Sequence, residues 1–313
     1  MRQEFEKISV VVPAYNEAES VGPLCDRLVA VLPELGLDWE VVFVDDGSSD
    51  GTLAQLEERL QNDDHLHAVQ LRRNFGKSQA LSAGFAQATG DVIVTMDADL
   101  QDDPAEIARL VEKLGDGYDV VTGWKRERRD PIHKRWPSKV FNRMVSWAAG
   151  TRIRDVNSGF KAFRAEAARS LRIYGELYRL IPVLAHARGF RLCEVPVQHH
   201  ARRHGRSKYG TSRMLRGFLD LITVIVLTRF LRRPLHLFGG AGLVMFACGF
   251  AIGVFIAGLW LEHGNIQNRQ PLLLCGILLM ALGLQLICTG LLAELMLNLS
   301  PPAGEDHVVK RVL

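Results

Sequence analysis

The sequence has little cysteine and none of it is arranged to act together. Five cysteines, Cys25, Cys193, Cys248, Cys275 and Cys288, are spread through 313 residues with no CxxC pair. Three of them sit in very apolar runs, so a disulfide scaffold and a zinc ribbon are both excluded. No GxGxxG follows the first strand candidate, which excludes a dinucleotide-dependent dehydrogenase. The opening stretch MRQEFEKISVVVP lacks an apolar run behind a basic head, so no secretory signal is expected. No basic groove interleaved with aromatics and no known module points to nucleic acid, which is not expected as a partner. Charged residues make up 23%, too few for wholesale disorder and too many for a pure membrane bundle.

What is present is unevenly distributed. The length suffices for one large domain or two modest ones with a substantial core. The formal net charge of +3 hides two opposed halves: residues 1–119 hold 9 Lys/Arg against 24 Asp/Glu, residues 120–313 hold 29 against 11. An acidic half that takes a metal and a basic half near anionic headgroups is the natural reading.

From residue 8 to about 123, short apolar runs alternate with longer helical stretches. ISVVVP (8–13), WEVVFVD (39–45), HAVQL (67–71), DVIVTMD (91–97) and DVVTG (119–123) are β-branched and almost continuously apolar, as strands buried on both faces of a parallel sheet require. Helix starts fall between them: Asn16 precedes Glu19, Thr52 precedes Gln55, and Asp103-Pro104 precedes Glu106. The alternation predicts a doubly wound α/β domain with a mostly parallel sheet. Residues 124–210 are less regular and rich in Arg and Lys.

The remainder turns apolar. Residues 211–231 place Arg213, Arg216, Asp220 and Thr223 at steps of three and four among Met214, Leu215, Phe218, Leu219 and Ile222. This reads either as an amphipathic helix in a membrane interface or as a packed surface helix; its uncharged core is too short to span a bilayer. Leu235–Leu261 and Gln270–Ala293 then carry no formal charge, and each exceeds the ~20 residues that a spanning helix needs. Arg229, Arg232 and Arg233 flank the entry and Lys310 and Arg311 follow the exit, so both ends are expected on the cytoplasmic side of the inner membrane. The expected organisation is a cytoplasmic domain over 1–210, an interfacial helix over 211–233, two membrane helices within 234–300 (about 235–261 and 271–296) and a cytoplasmic tail over 301–313. Gly239, Gly240, Gly242, Gly249, Gly253 and Gly258 suit close helix contact.

Two acidic clusters stand at strand ends: Asp45 and Asp46 after the second strand, Asp97, Asp99 and Gln101 after the fourth. Ligands of open parallel sheets bind outside the carboxyl ends of strands. Carboxylates crowded there repel one another unless a cation lies between them. A hard divalent ion, Mg²⁺ or Mn²⁺, held by Asp99, Asp97 and Gln101 and bridging to a diphosphate, satisfies that requirement.

VVPAYNE (11–17), VDDGSSDGT (44–52), NFGKSQALSAGF (74–85), DADLQDDP (97–104), DVNSGFKAF (155–163) and RRHGRSKYG (202–210) together resemble family 2 glycosyltransferases of the GT-A fold. Within that family the chain is similar to the dolichyl-phosphate mannose synthases and the bacterial polyprenyl-phosphate sugar transferases, whose two-helix membrane tail it also resembles. The resemblance implies that Pro13, Tyr15, Glu17, Asp45, Asp46 and Lys77 line a nucleotide-sugar pocket, with Asp45 accepting from the base. It implies that Asp97, Asp99 and Gln101 hold the metal and the donor diphosphate. Lys125 stands where relatives carry an arginine. Ser158 and Arg202 are expected on phosphate, and Arg206, Ser207 and Lys208 on the acceptor side. His199, His200 and His204 have no neighbouring cysteine or carboxylate cluster, which favours hydrogen bonding or exposure over metal binding.

The implied activity is transfer of one sugar from a UDP- or GDP-sugar to undecaprenyl or dolichyl phosphate, with inversion. A phosphate acceptor is already ionised near neutral pH, since its second pKa is about 6, so the protein must mainly align two groups and neutralise charge. Asp155 is either a catalytic base or the residue that positions a cationic side chain, and Asp99 and Arg202 are the other catalytic candidates. Processive polysaccharide synthases of the superfamily carry QxxRW; here Ile132 stands in the glutamine's place before His133-Lys134-Arg135-Trp136, and polymerisation is not expected. Glycosylation of another lipid and a non-catalytic nucleotide-binding scaffold are the rival readings, and homo-oligomerisation is left open.

Overall fold

The computed structural model describes residues 5–125, 153, 155–198, 234–266 and 268–299. The expected interfacial helix at 211–233, the stretch RRHGRSKYG, His133–Trp136 and the 301–313 tail lie outside the described residues. The chain divides into two compact units, taken separately below.

The first unit is built on a seven-stranded sheet: β1 Lys7–Ala14, β2 Asp38–Asp45, β3 Leu66–Gln70, β4 Val92–Thr95, β5 Val120–Lys125, β6 Lys161–Arg164 and β7 Leu192–Val197. Its order is β3-β2-β1-β4-β6-β5-β7. The five expected strands are present, and β1 pairs in parallel with β2 and β4 while β2 pairs in parallel with β3. The sheet is mixed: β6 runs antiparallel to both β4 and β5, while β5 and β7 are parallel. Neither β6 nor β7 shows the apolar pattern of a buried strand, because β6 is KAFR with a cation at each end and β7 carries Glu194 and Pro196.

Helices cover both faces of the sheet. They are α1 Ala18–Val31, α2 Thr52–Leu60, α3 Lys77–Gln87, α4 Ile107–Gly115, α5 Ala165–Ser170 and α6 Ile181–Ala187. On α1 the buried Val21, Leu24, Cys25 and Leu28 recur at steps of three and four, the stripe a sheet-packing helix needs. That stripe joins Leu110 and Leu114 of α4 on the strand residues Ile8, Val10, Val12, Phe43 and Val94, which form one core cluster. On the opposite face Phe85 of α3 meets Phe163 of β6 edge to face, centroids 5.7 Å apart. Burying a leucine or phenylalanine side chain of this kind stabilises by about 1.5–3 kcal/mol.

The expected caps are partly corrected. Asp103 does accept from Ala105 N, at 3.1 Å. Thr52 lies inside α2, and Asp50 accepts from its backbone N–H at 2.9 Å. Asn16 precedes the cap position in a left-handed conformation, φ 54°, which asparagine tolerates because its short polar side chain bonds locally.

The second unit is a helical hairpin, α7 Pro234–His263 and α8 Gln270–Leu299, both long and apolar enough to cross a membrane. Only some of its glycines mediate contact. A Cβ on Gly242 would stand 2.5 Å from the Gly283 carbonyl oxygen, and one on Gly249 would stand 2.5 Å from that of Gly276. The two pairs are seven residues apart on each helix, the repeat of a left-handed seam, and glycine permits the close backbone approach. Gly240, Gly253 and Gly258 have open space where a Cβ would go. Glu294 Oε2 of α8 accepts from Leu235 N at 3.3 Å, meeting one of the unpaired donors at the start of α7.

Candidate active site

The carboxyl ends of β1, β2 and β4 open on one side of the sheet, and the loops after them are stitched together. Asn16 N–H donates to Ser48 Oγ at 2.9 Å, and Asn16 Oδ1 accepts from Ser49 N at 2.8 Å. Glu17 N–H donates to Thr52 Oγ1 at 2.8 Å, and Ala18 N–H to Asp50 Oδ2 at 3.2 Å. The polar residues of DGSSDGT therefore shape the PAYNE loop. Pro13, Tyr15 and Glu17 of that loop line a cleft. Asp46, Lys77, Asp97 and Asp99 line the same cleft from the other strand ends and from the start of α3.

The two carboxylates that end β2 face different ways. Asp46 lines the cleft and accepts from Phe75 N at 2.8 Å and Gly76 N at 2.9 Å, which anchors the loop entering α3. Burial pushes its pKa up; the two N–H donors oppose this, and the neighbouring Asp45 adds to it. Asp45 is fully buried and accepts from Ser48 N at 3.2 Å, within its own turn. Asp46 thus borders the cleft directly, while Asp45 meets the turn that follows β2.

At the end of β4, Asp97 pairs with Lys77 Nζ, and that ammonium also lies 5.3 Å from the centre of the Tyr178 ring. Leu100 takes the left-handed conformation, φ 61°, and the chain turns so that Gln101 N–H donates to Asp99 Oδ1 at 3.2 Å. Asp99 is 7% exposed and lines the cleft with Asp97.

The segment before β6 lies behind these carboxylates. Thr95 Oγ1 donates to the Gly159 carbonyl at 2.8 Å, and a Cβ on Gly159 would stand 2.6 Å from Asp97 Oδ2. Ser158 is buried, and its carbonyl accepts from Lys161 Nζ. Asp155 is 1% exposed, and its N–H donates to Glu194 Oε1 at 2.8 Å. Sequence reasoning passed over Gly159, Lys161 and Glu194. The one available signal was a lysine inside an otherwise apolar SGFKAF run. Arg202, Arg206, Ser207 and Lys208 lie outside the described residues; Lys125 ends β5, with its side chain likewise outside them.

Asp97 and Asp99 present hard oxygen donors to one cleft. Among the described residues, no three His, Cys, Asp or Glu side chains gather into a complete metal cage. A cation bound by one or two carboxylates and otherwise by substrate phosphates and water is the habit of Mg²⁺, and the donor set fits such an ion.

Residues 9–172 match the sequence profile of Glycosyl transferase family 2. The chain belongs to that family. It is 36% identical, over 98% of this chain and 93% of the relative, to the dodecaprenyl-phosphate galacturonate synthase of Rhizobium johnstonii. It is 38% identical, over 92% of this chain and 88% of the relative, to the undecaprenyl-phosphate 4-deoxy-4-formamido-L-arabinose transferase of Klebsiella pneumoniae. Among solved structures it is similar to glucosyl-3-phosphoglycerate synthase of Mycobacterium tuberculosis in complex with Mn²⁺, UDP and phosphoglyceric acid. The two share 19% identity and a TM-score of 0.55, covering 71% of this chain and 78% of that one. That likeness shows a shared fold, the GT-A arrangement expected from the motifs. In this glycosyltransferase the cleft sits where the strand-end rule of α/β sheets puts a ligand.

Proposed function

We propose that this enzyme transfers a single sugar from a UDP- or GDP-sugar to a polyprenyl phosphate at the cytoplasmic face of a membrane, with inversion at the anomeric carbon. The observation that carries the reading is the convergence of Asp97, Asp99, Lys77 and the Pro13–Glu17 loop on one cleft, in a chain that also carries two apolar helices of spanning length. The names of the two relatives support the acceptor class.

Pro13, Tyr15, Glu17, Asp45 and Asp46 hold the nucleoside, with Asp45 accepting from the base, and Lys77 and Asp97 orient the diphosphate and sugar. A divalent ion, Mg²⁺ or Mn²⁺, held by Asp99 with Asp97 and Gln101, would neutralise the leaving diphosphate as a Lewis acid. Ser158 and Lys125 complete the phosphate contacts. Arg202, Arg206, Ser207 and Lys208, placed in sequence just before the apolar tail, take the acceptor phosphate through charge-assisted hydrogen bonds. The ionised acceptor oxygen attacks the anomeric carbon as the nucleoside diphosphate departs, and no separate base is needed. The burial of Asp155 favours a positioning role for it. Residues 1–210 form the catalytic domain, 211–233 lie in the interface, and the hairpin anchors the enzyme with 301–313 returning to the cytoplasm.

The test incubates membranes containing the full chain with undecaprenyl phosphate and a panel of radiolabelled UDP- and GDP-sugars. One donor should yield a labelled lipid, and EDTA should abolish the label. Absence of a labelled polyprenyl product from every donor overturns the proposal. Alanine at Lys208 should raise the Michaelis constant for the acceptor about tenfold, the equivalent of 1.4 kcal/mol, with the donor constant far less changed.

A further inference from the structure

The segment Asp155–Phe160 is held at both ends by groups that lie outside the cleft. Glu194 Oε1 on β7 takes the Asp155 N–H at 2.8 Å. Lys161 Nζ takes the Ser158 carbonyl. Thr95 Oγ1 on β4 takes the Gly159 carbonyl at 2.8 Å, and Gly123 N on β5 takes the Phe160 carbonyl at 2.9 Å. Four strands, β4, β5, β6 and β7, therefore hold a six-residue segment that has no regular structure of its own.

Lys161 is the unexpected member. It is 2% exposed, in a strand where an apolar residue would serve the sheet equally well. Taking an ammonium out of water costs several kcal/mol, recovered only through good hydrogen bonds. Residues that break the local rule in this way concentrate at functional sites. The place where the segment meets the cleft is equally specific. A Cβ on Gly159 would lie 2.6 Å from Oδ2 and 2.9 Å from Oδ1 of Asp97, so backbone stands directly behind that carboxylate, with Lys77 Nζ paired to it as well.

We propose that Lys161 is a positioning residue of the donor site: by holding the Ser158 carbonyl it fixes the Gly159 backbone as the wall against which the Asp97 carboxylate is seated. The wall sets where Asp97 points, and hence how well the cleft receives a nucleoside diphosphate with its divalent ion. This rests on the cleft being the donor site, as proposed above.

The test is calorimetric titration of UDP and GDP into the full-length protein in detergent, in Mn²⁺ and in EDTA, with Gly159→Ala and Lys161→Met beside wild type. Because misplacing a functional group by about 1 Å can cost up to ~10²-fold, Gly159→Ala should weaken nucleotide binding in Mn²⁺ by about tenfold or more and Lys161→Met by roughly three- to tenfold. Binding in EDTA and the thermal midpoint should stay near wild type. A purely structural lysine would lower the midpoint, or weaken binding equally in both conditions, and either result overturns the proposal, as does wild-type affinity in both variants. Should Lys161→Met fail to fold, Thr95→Val, which removes the hydroxyl that grips Gly159, carries the same comparison. A wild type that binds nucleotide yet labels no polyprenyl phosphate overturns the proposed function, and the variants still decide the role of Lys161. A wild type that binds neither nucleotide overturns both.

Discussion

The two units use the same apolar residues against opposite surroundings. In the first, Leu24, Leu28 and Leu110 are wholly buried between sheet and helix. In the hairpin, Leu243, Phe250, Trp260 and Leu261 face outward. Polar groups invert as well: the first unit holds carboxylates at strand ends around a cleft, while the hairpin places Glu294 against the start of α7. Water drives the first unit together through the apolar area it buries. Between helices surrounded by lipid that drive vanishes, and close packing at small residues takes its place. Exposed leucine on α7 and α8 is therefore a statement about solvent, and the glycine pairs are the hairpin's equivalent of a core.

The largest expected effect separates chemistry from both kinds of stability. Asn in place of Asp99 keeps the shape and the bond from Gln101 N, yet removes the charge that lines the cleft. Turnover should fall by 10²-fold or more, as for loss of one electrostatic contact in an active site, with the unfolding transition and membrane insertion unchanged. Retained turnover would remove Asp99 from the mechanism. Next in size is one substitution made in both units. Leu28→Ala, at 0% exposure, should destabilise the first unit by about 2–5 kcal/mol. Leu261→Ala, at 77% exposure, should leave thermal unfolding in detergent almost unmoved. Equal costs would mean that the outer face of α7 is covered by protein.

Acidification should divide the units too. Glu40 is buried at the start of β2, and burial alone would raise its pKa. Hydrogen bonds from Ser9 Oγ and Thr89, with Lys7 alongside, outweigh this and bring it down to about 2. A carboxylate depressed from 4.5 in this way contributes stability that is present in full above pH 4.5 and lost as the pH falls from there toward about 2. The contribution is on the order of 2–3 kcal/mol. Urea midpoints of the full chain between pH 7 and pH 3 should fall more steeply for wild type than for Glu40→Gln, which starts lower. Parallel slopes would refute the assignment.

How far the sequence could be read follows the same division. The strands β1, β2, β4 and β5 were legible because a strand buried on both faces has to be continuously apolar; β3, a partly exposed edge strand, was legible from its short apolar run alone. The two long helices of the hairpin were legible because an uncharged run of more than ~20 apolar residues has the length and composition of a spanning helix. The cleft was legible as strand-end carboxylates, since topology alone brings the ends of β1, β2 and β4 together. Less could be read where a residue's partner is remote in sequence. Which of Asp45 and Asp46 faces the cleft depends on the Phe75 and Gly76 amides, some thirty residues on. Strand β6 is hidden because Lys161 and Arg164 break its pattern, and its antiparallel course depends on neighbours that are distant along the chain. Gly159 reads as a loop glycine until Asp97 is seen against it.

The smallest effect tests whether the glycine pairs are the hairpin's core. A leucine at Gly283 would have to fit where a Cβ already meets the Gly242 carbonyl at 2.6 Å, so α7 and α8 must separate. Overpacking of this kind costs about 1–3 kcal/mol. A leucine at Gly253, with open space around it, adds apolar surface toward lipid and improves helix propensity by several tenths of a kcal/mol. The readout is the thermal midpoint of the full chain in detergent, together with protease cleavage in the turn at 264–269, which opens when the helices part. Gly283→Leu should lower the midpoint and speed cleavage, and Gly253→Leu should do neither. If both leucines behave alike, the close approach at Gly242 and Gly283 does not hold the hairpin together, and α7 and α8 are associated through their larger side chains instead. If Gly253→Leu alone is harmful, the stabilising face of α7 is the one turned away from α8, and the comparison between the two units would have to be drawn with another helix pair in the role of core.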